Sequence, residues 1–335
     1  MKIIETLALV VLTAAFAVIG LTAPAQESPP ANPITAKDLV PAELVMHATV
    51  ELRCAIDASH ISTGTAFIFA FFNQNGRNFG AIVTNKHVLG TLDDHHILTP
   101  FSQCVFTLTR AKSDGSADYS QHVDIVINDL SRSIIQHPDN NVDLAIVPVA
   151  DLINKTIIDS GPLFFTQFDQ SLIPDNAGVN SLTPLEDVIT IGYPANFWDQ
   201  TNNLPIFHRA STATAPYIEF QGRKEFVIDT TEWFGASGSP VLIYNPSGWV
   251  DLRKHVNNIG QSRIFLIGIV YAVAYYNIDG TTTIAPIPTS VQVTTQIKVP
   301  INASVCIDAS RILDFEPILA SMGYPVPPGY TMRSK

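Results

Sequence analysis

Three short stretches of the chain hold side chains that could cooperate in acyl transfer. In Gly235-Ala236-Ser237-Gly238-Ser239-Pro240 a serine sits among small residues, just ahead of the apolar run Val241-Leu242-Ile243. Glycine at 235 allows a bend that turns its own N–H and that of Ser237 into one small space, where an oxyanion could be held. A serine hydroxyl is a weak nucleophile until a base takes its proton, and that base is usually a histidine oriented by a buried carboxylate. Gly80-Ala81-Ile82-Val83-Thr84-Asn85-Lys86-His87 is a short apolar strand pattern that runs into a histidine. Asn141-Val142-Asp143-Leu144-Ala145-Ile146-Val147 places one carboxylate at the mouth of another such strand. Burying an aspartate there is costly without a partner, and an imidazole N–H supplies one.

Each residue alone has a plainer reading: a turn before a strand for Ser237, a satisfied core histidine for His87, a strand cap for Asp143. Their occurrence together, in the order His, Asp, Ser, favours the catalytic constellation. With these motifs the chain resembles the chymotrypsin-type (trypsin-like) serine peptidases, of the bacterial sort that lacks the animal enzymes' disulfide scaffold. Gly64-Thr65-Ala66-Phe67-Ile68-Phe69 resembles the family's glycine-led strand before the histidine. Gly192-Tyr193-Pro194 resembles a landmark of the second barrel, and Gly268-Ile269-Val270 the strand that lines the substrate cleft. With the histidine and aspartate stretches these make five motifs in family order between residues 64 and 270, beside the serine turn itself.

The resemblance implies an all-β fold of two antiparallel six-stranded β-barrels with a short C-terminal helix. It implies Ser237 as nucleophile, His87 as base, Asp143 as orienting carboxylate, and the N–H groups of Gly235 and Ser237 as oxyanion hole. The function expected is a secreted serine endopeptidase that works through an acyl-enzyme, with no cofactor and with proteins or peptides as partners. The base must be neutral to act, so activity is expected to fall on acidification. By family spacing the floor of the primary pocket lies at Thr231, with Glu232 next and Val270 and Tyr271 on the cleft strand. Thr231 is not the aspartate of an arginine- or lysine-specific enzyme, and Val270 stands where glutamate-specific relatives often have histidine. Trp233 and Phe234 are bulky for this place. No preferred side chain follows. Ala236 stands where the animal enzymes keep an aspartate for a newly cut N-terminus, so activation through that ion pair is not expected. A catalytically inactive binding protein on the same scaffold is the alternative, and a secreted surface domain with coincidental motifs is a weaker one.

Asp139, in the turn His137-Pro138-Asp139-Asn140, is the rival carboxylate, and its polar surroundings favour exposure. Asp93-Asp94-His95-His96 has no matching distant ligand pair, so a solvated loop is expected there and no metal.

The elements that must position these residues read as short strands throughout. Only 15% of residues are charged and 46% are hydrophobic, which suits a β-rich domain with a large core. A net charge of −11, with no cluster of basic and aromatic residues, excludes a nucleic-acid binder. Residues 1–25 read as a signal peptide: Lys2, an apolar run from Leu7 to Leu21, then Ala23-Pro24-Ala25. Residues 26–41 read as a linker, 42–165 as the barrel carrying His87 and Asp143, 166–305 as the crossover and the barrel carrying Ser237, and 306–335 as helix and tail. A secreted or periplasmic monomer is expected, on a membrane only if the N-terminal segment is an uncleaved anchor. Of three cysteines, Cys54 and Cys104 fall in first-half strands and are the preferred disulfide pair, with Cys306 left over.

Overall fold

Alternating residues give the central strands two different faces. In the strand Ile61–Gln74, Phe67, Phe69 and Phe71 join one buried cluster while Ala66 and Ile68 join another. Its neighbour Arg77–Thr84 repeats the pattern, with Ala81 and Val83 in the first cluster and Ile82 in the second. A strand buried on both faces needs apolar side chains at successive positions, and the period of two sends them to opposite sides.

These strands come from a computed structural model that describes residues 38–57, 59–74, 77–195, 197–230, 234–277, 282–287 and 298–333. They all belong to the unit Ile34–Lys335. The expected leader at 1–25, the part of the expected linker from 26 to 37, and Thr231, Glu232 and Trp233 lie outside the described residues.

The first sheet runs, in order of pairing, Leu163–Phe164, Gln103–Ala111, Thr49–Ala55, Ile61–Gln74, Arg77–Thr84, Ala145–Pro148 and Ile135–Gln136, with Ala117–Asn128 and Phe168–Asp169 attached at its flanks. The second runs Ile206–Ser211, Asp187–Gly192, Pro240–Asn245, Arg263–Asn277, Lys298–Asp308 and Glu225–Ile228, with Thr282–Pro286 added on Arg263–Asn277. The all-β architecture follows the expectation. The sheets hold nine and seven strands rather than six each, and among the described residues no ladder closes either into a ring. A cluster that contains Phe67 and Phe69 from the first sheet and Leu242, Leu266 and Val305 from the second fills the space between them.

Cys54 and Cys104 are direct cross-strand partners and are joined in a disulfide, while Cys306 is a buried thiol in the second sheet. At the C-terminal end, Asp308 accepts the Ser310 N–H at 2.7 Å and opens a 3-10 turn, Ala309–Asp314, that passes into the helix Phe315–Ser321. Pro317 falls in the first turn of that helix, where a missing N–H costs nothing. The expectation of short strands throughout changes at two places: the first half contains a helix, Ala150–Ser160, and Ile218–Phe220 forms no strand. Pro216 and Gly222 bracket that segment too tightly for a ladder to grow beyond the single bridge from Phe220 to Arg223.

Candidate active site

The register of the first sheet brings the base and the carboxylate together. Thr84 pairs with Ala145, so the chain leaving one strand and the chain entering the other meet at the same end of the ladder. His87 follows Thr84 on a single helical turn, Lys86–Leu89, and Asp143 lies just before Ala145. Asn85 fixes the junction by donating its Nδ2 to the Asp143 carbonyl at 2.8 Å. The aspartate then receives the His87 backbone N–H on Oδ1 at 3.2 Å and stands 2.5 Å from Nδ1 through Oδ2. An Nδ1–H donated to Asp143 selects the tautomer whose Nε2 is an acceptor, an assignment that follows from the hydrogen-bond pattern.

That Nε2 is 2.8 Å from Ser237 Oγ. Asp143 and His87 are nearly buried, with side chains 8% and 10% exposed. Burial works to raise the Asp143 carboxyl, but the adjoining His87, its hydrogen bonds and the nearby Lys86 outweigh it and hold the group below the ordinary carboxylate value. Lys86 is itself buried, which lowers its ammonium against the pull of Asp143 and Asp139. Its Nζ donates to the Asn140 carbonyl at 3.3 Å.

Ser237 reaches this pair from the second lobe, on a turn held by the first. The Thr65 N–H donates to the Ser237 carbonyl at 2.8 Å, and Thr65 Oγ1 donates to the Gly235 carbonyl at 2.8 Å. The same Oγ1 accepts the Tyr193 N–H at 2.9 Å. Gly235 has φ +90° and Gly238 φ +89°. A Cβ at Gly238 would fall on the Thr65 carbonyl oxygen and one at Gly235 on the Tyr193 carbonyl oxygen, so both positions demand glycine. The N–H groups of Gly235 and Ser237 have no acceptor among the described residues, as donors awaiting an oxyanion would.

A histidine and an aspartate from one antiparallel β-lobe thus meet a serine from a second. This is the two-lobed β arrangement that the resemblance to trypsin-like peptidases implied. No protein-family model matches the chain, and no curated protein does either. Among solved structures, a thermostable serine protease, AL20, from an extremophilic microorganism is 14% identical, covers 84% of this chain and 99% of its own, and superposes with a TM-score of 0.44. Deg5 is 14% identical over 86% of this chain and 93% of its own, with a TM-score of 0.41. The active form of the Rv3671c protease from M. tuberculosis is 17% identical over 96% and 98%, with a TM-score of 0.38. Identities this low speak to fold alone, and TM-scores this low add nothing to what the chain's own hydrogen bonds say about the site.

The other candidate residues are placed as follows. Val270 and Tyr271 lie on the strand Arg263–Asn277 beside the nucleophile turn, where the Val270 carbonyl accepts the Gly238 N–H at 2.9 Å. Tyr271 is an extra residue in the ladder to Lys298–Asp308, a bulge that turns its carbonyl away from that partner. Burial and the adjoining Glu225 carboxylate raise its phenol. Asp139 is half exposed and pairs with Arg311 at 3.1 Å. Asp93 accepts the N–H groups of His95 and Ile97 and so caps its loop. Sequence reasoning missed two participants, Thr65 and Ile287. Thr65 lies in the Gly64–Phe69 motif as a strand residue, and a hydroxyl next to an apolar run was the available signal. Ile287 is only 1% exposed, and its carbonyl lies 3.2 Å from Ser237 Oγ.

Proposed function

We propose that the protein is an exported serine endopeptidase with His87, Asp143 and Ser237 as its catalytic residues. The observation that carries this reading is the line of hydrogen bonds from Asp143 Oδ2 to His87 Nδ1 at 2.5 Å and from His87 Nε2 to Ser237 Oγ at 2.8 Å. Ser237 Oγ attacks a peptide carbonyl while His87 Nε2 accepts its proton. Asp143 holds the imidazole and balances the imidazolium that forms. Negative charge on the carbonyl oxygen is met by the N–H groups of Gly235 and Ser237, each worth about 3–4 kcal/mol in such sites. His87 then protonates the leaving amine, and water, activated by the same imidazole, hydrolyses the acyl-enzyme. Export is supported by the Cys54–Cys104 disulfide, which suits an oxidising compartment, together with the leader expected at residues 1–25.

The test is covalent labelling of the full chain by a fluorophosphonate, with hydrolysis of casein alongside. Wild type is expected to be labelled and Ser237→Ala not; equal labelling of both, or label on another residue, would sink the assignment. A second reading, a peptidase-fold binding protein without turnover, is favoured by one observation: Ser237 has 0% exposure.

A further inference from the structure

The cover over Ser237 is made by the chain itself. The long strand Arg263–Asn277 passes the nucleophile with one edge available for a further strand, and Thr282–Pro286 takes that edge in antiparallel register. Val273 pairs with Ala285 and Ala272 with Pro286. One residue on, the Ile287 N–H donates to the bulged Tyr271 carbonyl at 3.1 Å. Ser237 Oγ in turn lies 3.2 Å from the Ile287 carbonyl oxygen. Ile287 belongs to the buried apolar cluster of the second lobe with Phe226, Ala236 and Val270.

An open strand edge beside a nucleophile is where an extended peptide would add by main-chain hydrogen bonding, with side-chain pockets setting preference. Resting on the acyl-transfer reading above, we propose that the segment Thr282–Ile287 is a built-in occupant of the substrate groove, paired along the strand edge as a substrate's main chain would be, but with the Ile287 carbonyl oxygen on Ser237 Oγ and not on the N–H groups of Gly235 and Ser237. Peptide substrates must displace it. An aliphatic side chain of similar size is what the vacated pocket accepts.

Two features make the segment an occupant rather than a substrate. A serine hydroxyl has one hydrogen, and while that hydrogen is donated to the Ile287 carbonyl it is not available to His87 Nε2. In sequence, Ile287 is followed by Pro288, so the bond facing Ser237 is a tertiary amide whose leaving nitrogen carries a ring carbon instead of hydrogen. Pro286 before it narrows the conformations the free segment can visit, which lowers the entropic cost of docking.

The experiment replaces residues 282–287 with a Gly/Ser linker of equal length and measures the rate of fluorophosphonate labelling against wild type. Release of the occupant is expected to raise that rate about tenfold or more, the size set by how strongly the docked state is populated. Ile287→Ala, which keeps the main-chain ladder, is expected to move it the same way by a smaller factor. A fluorescein-labelled peptide of sequence Thr-Thr-Ile-Ala-Pro-Ile is expected to bind the linker variant, slow its labelling competitively, and leave wild type unaffected. Equal labelling rates in wild type and both variants, all folded by circular dichroism, would overturn the occupant while leaving the peptidase reading intact. Absence of labelling in all of them would overturn the peptidase reading. Peptide binding to the linker variant alone then still supports the occupied groove, and binding to neither overturns it.

Discussion

His87 and Asp143 reach each other through one ladder within the first sheet, whereas Ser237 is held by bonds that cross from one lobe to the other. The first arrangement is local: Thr84 and Ala145 are paired, and the two side chains extend from the same end. The second depends on Thr65, whose hydrogen bonds reach Gly235, Ser237 and Tyr193. The half of the site built by a sheet is fixed when that sheet forms. The half built across lobes is fixed only when the lobes dock, and it is also the half that the segment Thr282–Ile287 covers. Order in the base and carboxylate is structural, while access to the nucleophile is conditional.

Substitutions that cut one half and spare the other break this comparison, and the largest effect belongs to the sheet-built half. Asp143→Asn should lower kcat about 10⁴-fold near neutral pH by favouring the wrong imidazole tautomer, with little change in the far-ultraviolet spectrum; steady-state kinetics on a released substrate would check it. Removing the Cys54–Cys104 disulfide by paired alanine substitution closes no loop across the 50-residue separation and should cost about 4 kcal/mol in urea unfolding. Dithiothreitol should then have no further effect on the variant.

Thr65→Val tests the cross-lobe half. It keeps the shape but leaves the Tyr193 N–H and the Gly235 carbonyl without their partner, at a cost of about 3 kcal/mol for two buried groups. The nucleophile turn should loosen, so kcat should fall with KM little changed. A variant that loses stability without losing kcat would show that the turn does not need its cross-lobe anchor.

The smallest effect is a pH dependence in the first lobe. Burial, opposed by Glu43, lowers the His47 imidazole to about 4 from its ordinary 6.5. Between these values the unfolded chain binds the proton more strongly than the folded one, so His47 favours folding above about pH 6.5 and loses that contribution as pH falls toward 4. His47→Gln should flatten the melting temperature across that window, and an unchanged slope would refute the assignment.

Residue types made the site legible at three points because each chemical role needs a particular group beside an apolar strand: a histidine after Thr84, a carboxylate before Ala145, a serine among small residues before Val241. The unbroken apolar run from Ala66 to Phe72 likewise suits a strand buried on both faces, as its side chains prove to be. The helix Ala150–Ser160 was not legible, because only Ile153 among its residues is buried and so little of an apolar stripe is needed to dock it. Thr65 was visible only as a strand residue. Its side-chain partner Gly235 lies 170 positions away, and no local pattern encodes a bond of that span.

The amino-acid order by itself determined the chemistry on offer and the strands that carry it, since reactivity and alternation are properties of residues and their near neighbours. Only the folded chain decided that Thr65 would brace the serine turn and that Ile287 would sit against the nucleophile. Both depend on which strand edges and turns meet after the lobes pack, and the main-chain groups that join them are nearly the same at every residue, so no local pattern names their partners.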